Sequence, residues 1–259
     1  MNVITRSTVN KQLVADSFRL GADTYDEHAT VQKELSSLLV KRLIQNTSGV
    51  FKKALEVGCC TGLLTKELGL LCSVDQLYVN DIVPSFCEDC VAQLNGYPGV
   101  RYPLPGDIEK CALPNNLDLI ISSSTLQWAE NLPQLLETLI SRLNCGGVLA
   151  ISLFTSGTMK EVTTLTGSGL YYHGHGELSE FFRERGLLLH DENVARKMIF
   201  PTVRAILRHI KMTGVGGVGQ VSWTHNGLRT FEDQYRKQFA MEEGLPVSFS
   251  SSLFIVQVK

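Results

Sequence analysis

The sequence predicts an α/β fold: a mostly parallel sheet of about seven strands with helices on both faces. Three observations carry that reading. Short apolar runs at 54–57, 76–80, 100–104, 117–122 and 148–154 alternate with helical patterns at 63–71, 84–95 and 132–143, as expected of parallel strands joined by crossover helices. An acid stands at the end of each of the first three strands: Glu56, Asp81 and Asp107. Finally, a β-like run at 187–200 and the tail 246–259 can pair antiparallel and complete the sheet.

Residues 8–45 precede this core and read as helix, with Phe18, Tyr25 and Gln32 recurring every seven residues on one face. The "NCGG" at 144–147 reads as a helix stop and turn before the fifth strand. After residue 155 the rhythm changes. Glycine-rich turns punctuate 155–169, a helix covers 177–185, and 201–243 is helical around a "GVGG" loop at 214–217. This is a single domain of 259 residues. Residues 1–45 are expected to form an N-terminal helical cover, 46–155 a ligand-binding core, and 201–243 a helical lid inserted before the last strand.

Composition narrows the function. Hydrophobic residues make up 44% and charged residues 19%, with a formal net charge of −2, so a nucleic-acid partner, which needs a broad basic surface, is not expected. No apolar run approaches the ~20 residues that span a membrane, so no membrane role is expected. The seven cysteines suit free thiols in a reducing cytoplasm. Cys87 and Cys90 form a C-x-x-C without a second pair at zinc-site spacing, and "HGHGE" at 173–177 lies in a glycine-rich loop. No metal site is expected at either.

Open α/β sheets bind ligands at the carboxyl ends of their strands. The first strand delivers "EVGCCTG", placing Glu56, Gly58, Cys60 and Gly62 there. A dinucleotide loop would have glycines at 58, 60 and 63, and Cys60 and Leu63 stand at two of those positions. Nicotinamide binding is therefore disfavoured. S-adenosyl-L-methionine asks for a different set. An acid before the loop suits its ammonium group, and backbone N–H groups at the helix start suit its carboxylate. Asp81 can accept hydrogen bonds from both ribose hydroxyls, and Asp107 one from the adenine amino group. Ile82, Ile108 and Ser123 complete the candidate cofactor set. Cys60 should cost roughly 1 kcal/mol if its φ is positive. With no activating base in view, it is read as tolerated rather than nucleophilic.

The order E-x-G-x-x-x-G, acid, G-D, "SSSTLQW" resembles the class I (Rossmann-like) methyltransferase fold. Three further stretches make the resemblance more specific: "FRLGADTYDEHATVQ" (18–32), "SSSTLQWAENL" (122–132) and "TGVGGVGQVSWTHNGLRTFEDQYRKQF" (213–239). Together they closely resemble the malonyl-acyl-carrier-protein O-methyltransferases of biotin synthesis. The resemblance implies methyl transfer from S-adenosylmethionine to the free carboxylate of a malonyl thioester, on acyl-carrier protein or coenzyme A. Such a carboxylate has a pKa near ~4 by analogy with side chains. It is already a nucleophile, so alignment and water exclusion suffice without a general base.

Within that expectation Tyr25 reaches over the sulfonium or orients the carboxylate, and Gln127 and Trp128 wall the transfer pocket. His28 reads as structural. The carrier is acidic, and Arg204, Arg208 and Lys211 share one helical face that could dock it. The protein is expected to act as a monomer. Rival readings are methylation of another small carboxylate or a quinone precursor, and an inactive carrier-docking module that keeps the cofactor fold.

Overall fold

A computed structural model describes residues 9–94, 96–213 and 224–259. Its seven strands are β1 (Val50–Val57), β2 (Ser73–Asp81), β3 (Val100–Pro105), β4 (Leu117–Ser123), β5 (Leu143–Phe154), β6 (Gly186–Phe200) and β7 (Leu245–Val258). They form one sheet in the order β3-β2-β1-β4-β5-β7-β6. The pairs among β1 to β5 are parallel, and β7 runs antiparallel between β5 and β6. The strand order reverses between β1 and β4, so the ends of those strands frame the crevice where ligands of such sheets lie.

The central strands are apolar on both faces because helices cover both. Ala54 of β1 packs in one core cluster with Leu39 and Leu43, which belong to α2 (Thr30–Asn46). Its neighbours Leu55 and Val57 point into a second cluster with Leu135, Leu136 and Leu139 of α5 (Leu132–Ile140). Those leucines, with Leu132, repeat at helical spacing, and the Asn131 side chain caps the helix by accepting from the Gln134 N–H. The other crossover helices are α3 (Leu63–Leu71) and α4 (Pro84–Gln93). Beyond the core lie α6 (Lys160–Thr166), α7 (His175–Arg185), α8 (Val203–Met212) and α9 (His225–Phe239). The Tyr235 hydroxyl of α9 donates to the Pro246 carbonyl at 2.6 Å and fastens that helix to β7.

Three expectations change. The helix expected over 8–45 is two helices, α1 (Lys11–His28) and α2, which meet at Ala29. Ala29 has ψ 47°, and its side chain is wholly buried; a small residue allows the corner that swings α1 across the strand tips. The "NCGG" turn lies within β5, where Leu143 pairs with Leu117 and the register then shifts before Leu119 meets Val148. The stretch 155–169 holds the short helix α6, because buried Glu161 accepts from the N–H and hydroxyl of Ser248 on β7. The "GVGG" loop at 214–217 lies outside the described residues. Among the described residues, no helix is long and apolar enough to cross a membrane.

Candidate functional site

The β1 loop turns sharply because three residues adopt left-handed backbone: Gly58 (φ 76°), Cys60 (φ 49°) and Gly62 (φ 87°). Gly58 also has no room for a side chain, since a Cβ there would sit 2.1 Å from Thr125 Oγ1. A Cβ on Gly62 would meet Cys90 Sγ of α4 at 3.1 Å, so this glycine lets α3 start close to its neighbour. Cys60 therefore carries the conformational cost expected of a non-glycine residue. What holds it there is its N–H, which donates to Asp81 Oδ2 at 2.9 Å. The other carboxylate oxygen, Oδ1, accepts from the Val83 N–H at 2.8 Å. Burial still pushes the Asp81 carboxyl up to about 6, against the opposing pull of these backbone donors.

A cavity opens at these tips, lined from β1 by Gly58 and Cys60, from β2 by Asp81 and Ile82, and from the β3 end by Asp107 and Ile108. Ser123, Ser124 and Trp128 close it from the β4 side, and Tyr25 and Phe18 of α1 roof it. Seven of the nine cofactor candidates thus converge. The other two, Glu56 and Gly62, are not among the lining residues. Glu56 is completely buried and accepts from Thr65 Oγ1 of α3 at 2.8 Å, while its Oε2 has no partner among the described residues. Burial drives its carboxyl up to about 8, with nearby Asp81 adding to the shift and the Thr65 bond opposing it.

Helix α1 is tied down at both ends. Lys11 Nζ donates to Asp107 Oδ1 at 3.1 Å and to Glu109 Oε2 at 2.7 Å. Near the other end, Thr61 Oγ1 of the β1 loop donates to Asp26 Oδ1 at 2.6 Å. Between these ties Phe18 packs 6.0 Å from the rings of both Tyr25 and Trp128, the latter edge-on. Burial keeps the Tyr25 hydroxyl far above its ordinary range, and nearby Cys60, Asp26 and Asp81 add to the effect, so this side chain is neutral.

Behind the aromatic roof lies a second, small cavity. Tyr25, Phe18, Ser124 and Trp128 line both spaces, and Gln127, Gln32 and Phe249 line the inner one. Phe18, Tyr25 and Gln32 do share a surface as their spacing suggested, although Gln32 sits on α2 beyond the corner. Gln127 faces only the inner cavity of these two, with Nε2 donating to the Ser124 carbonyl at 2.6 Å. Arg204, Arg208 and Lys211 are exposed along α8, and none forms an ion pair among the described residues. His173 pairs with Glu177, and His175 with Asp191 and Ser252.

Lys11, Phe18 and Ser124 were not singled out as site residues by sequence reasoning. Phe18 had a signal in its spacing to Tyr25. Ser124 lay within the strand-end motif "SSSTLQW" but nothing there distinguished it from Ser123, and Lys11 had no signal, because its place depends on how α1 crosses the sheet.

A profile described as a methyltransferase domain matches residues 55–151. The chain is 36% identical to the malonyl-acyl-carrier-protein O-methyltransferase of Acinetobacter baylyi, over 91% of this chain and 92% of that protein. It is 32% identical to the enzyme of the same name from Prosthecochloris aestuarii, over 93% and 91%. The chain belongs to the malonyl-acyl-carrier-protein O-methyltransferase family. Among solved structures, its fold is similar to the N-methyltransferase NodS of Bradyrhizobium japonicum in complex with S-adenosyl-L-homocysteine. That match has a TM-score of 0.53 at 14% identity and covers 87% of this chain and 86% of the other. The class I methyltransferase fold expected from the strand-tip acids is thus the one observed.

The raised carboxyls of this methyltransferase give a stability prediction. A carboxyl whose folded pKa exceeds its ordinary value stabilises the fold at low pH, and that contribution is lost as pH rises through the folded value. Unfolding free energy should fall between pH 5.5 and 8 as Glu56 and Asp81 ionise. Glu56→Gln keeps an acceptor for Thr65 but does not titrate, so urea unfolding should show a loss smaller by on the order of 2 kcal/mol across that interval. Equal pH slopes for the two proteins would mean that Glu56 is already ionised in the folded state.

Proposed function

We propose that the protein methylates the free carboxylate of malonyl-acyl-carrier protein, using S-adenosylmethionine as donor. The observation that carries this reading is the joining of a strand-tip cavity holding Asp81 to an aromatic inner cavity through Tyr25 and Trp128, in a chain of this family.

The lining fits the donor. A carboxylate offers about four acceptor positions, and Asp81 spends some on Cys60 and Val83; the remainder would hold a ribose diol. Ile82 and Ile108 supply apolar walls for a planar base, and Asp107 would accept from its amino group beside the Lys11 bond. The rings of Tyr25, Phe18 and Trp128 suit a sulfonium, since cations are attracted to aromatic faces. Bound S-adenosylmethionine supplies an electrophilic methyl on sulfur, which passes to a carboxylate oxygen and leaves a neutral thioether.

This chain's residues supply order and dryness. The inner cavity has no lysine or arginine in its described lining and is rich in aromatic side chains. An acceptor carboxylate there is held by neutral groups, so its charge is only partly quenched and its nucleophilicity is kept. Opposite charges attract more strongly in such a low-dielectric space. The fixed roof removes water that would otherwise solvate the carboxylate, and holding two reactants in line can supply several kcal/mol. Tyr25, neutral and buried, orients the acceptor through its hydroxyl.

Helix α1 covers the cavity through two polar ties, so its release would open a path for the donor, and α8, which packs against α1, moves with it. The exposed Arg204, Arg208 and Lys211 then meet the acidic carrier while its thioester arm enters. The protein works as a cytoplasmic monomer and takes malonyl-coenzyme A less well, for want of that surface contact.

Two outcomes test the assignment. Asp81→Ala should weaken S-adenosylhomocysteine binding at least about tenfold in calorimetry, through loss of a charged hydrogen-bond acceptor; unchanged affinity would remove Asp81 from the donor site. Charge reversal at Arg204 and Arg208 should raise KM for malonyl-acyl-carrier protein by roughly tenfold while leaving KM for malonyl-coenzyme A unchanged. Equal effects on both substrates would exclude α8 as the docking face.

A further inference from the structure

Four hydroxyl side chains follow one another at the tip of β4: Ser122, Ser123, Ser124 and Thr125. Ser122 Oγ donates to the Val57 carbonyl at 2.9 Å. Ser123 Oγ accepts from Ser36 at 3.1 Å and from Ser152 at 2.9 Å, in a buried chain of serines. Thr125 Oγ1 donates to the Ser123 carbonyl at 3.1 Å and lies 3.3 Å from that of Gly58. These three hydroxyls hold β4 to its neighbours. Ser124 Oγ is buried and has no partner among the described residues.

The backbone of Ser124 is equally distinct. Its φ is 54°, in the left-handed region that non-glycine residues seldom occupy. Two bonds enforce the conformation: its N–H donates to the Ser152 carbonyl at 2.8 Å, and its own carbonyl accepts from Gln127 Nε2. Such strain persists only where surrounding structure over-determines it, and it clusters at ligand sites. An unmade hydrogen bond on a buried hydroxyl costs about 1–3 kcal/mol. The fold therefore maintains a strained turn and an unsatisfied donor at one residue. That residue, with Phe18, Tyr25 and Trp128, lines both the strand-tip cavity and the inner cavity, where donor and acceptor would meet.

We infer that Ser124 is a second acceptor-binding hydroxyl of this enzyme beside Tyr25: its Oγ–H donates to the free carboxylate of the malonyl thioester where the two cavities adjoin. The inference rests on the function proposed above. Of the other polar groups of the inner cavity, Thr158 Oγ1 donates to the Ser250 carbonyl, Thr213 Oγ1 to the His209 carbonyl and Gln127 Nε2 to the Ser124 carbonyl, while Gln127 Oε1 can only accept, so Ser124 would share the carboxylate with the Tyr25 hydroxyl. A hydroxyl binds a carboxylate more strongly than an ester, because hydrogen bonds to charged acceptors are about twice as strong. Ser124 thereby favours substrate over its methylated product, while Gln127 acts through Ser124 as a positioning residue.

Ser124→Gly tests this, since glycine accepts the left-handed backbone and the hydroxymethyl group alone is removed. Relative to wild type, kcat/KM for malonyl-acyl-carrier protein should fall about 10- to 100-fold, the effect of losing one bond to a charged group. Affinity for S-adenosylhomocysteine should stay within threefold, and the thermal midpoint should not drop. In calorimetry on the S-adenosylhomocysteine complex, wild type should bind malonyl-coenzyme A more tightly than its methyl ester, and the variant should lose most of that preference. A variant with kcat/KM within threefold of wild type, or one that keeps the acid-over-ester preference, overturns the inference. So does a loss confined to S-adenosylhomocysteine affinity, which would assign the hydroxyl to the donor. Failure of the wild-type protein to methylate either malonyl thioester would instead refute the functional reading, and this inference with it.

Discussion

The bond from the Cys60 N–H to the Asp81 carboxylate holds the site together. It joins the loop after β1 to the tip of β2, and it satisfies a carboxylate that the fold takes out of water. A buried charge without donors would be far too costly to keep. The loop that provides the donor must therefore adopt left-handed backbone at Gly58, Cys60 and Gly62. Once the loop is so shaped, Gly58 can lie against Thr125, which brings the tip of β4 into the same space. Strand-tip cavity, loop and β4 turn are consequences of one buried acid and its backbone partners.

The second constraint is dryness. Methyl transfer between a cation and an anion is most favourable where neither is surrounded by water, but both charges must enter from water. The structure meets these opposed needs with a helix fastened at its ends by polar contacts and in its middle by aromatic ones. Lys11 and Asp26 make bonds that water can replace, while Phe18, Tyr25 and Trp128 form an apolar roof. The ion pairs of Lys11 with Asp107 and Glu109 are largely buried, so these ties hold α1 in place until water reaches them. The roof is what excludes solvent once it is in place.

The residues of the β1 loop, the acids at successive strand ends and the family-like stretches around Tyr25 and Trp128 were legible in the sequence. They are local: each acid follows directly on a strand, and a strand end lies where ligands of such sheets bind. The placement of Glu56 away from the cavity wall was not legible. Its position before the loop suits a ligand contact, but the alternation of side chains along β1 turns it toward Thr65 of α3. The corner at Ala29 has no glycine or proline to mark it, and α6 depends on Glu161 reaching Ser248, eighty-seven residues away.

By itself the sequence determined the layered α/β architecture, the convergence of Asp81, Asp107 and the glycine-bearing loop, and membership of a methyltransferase family. Periodicity and strand-end position are properties of neighbouring residues, and they suffice for these. Only the tertiary structure decided which of four adjacent hydroxyls remains unpaired among the described residues, how α1 crosses the tips, and how the strand-tip and inner cavities adjoin. Those outcomes depend on hydrogen bonds and ring contacts between segments far apart in the chain, where one commitment, such as Ser123 to Ser36 and Ser152, leaves its neighbour free.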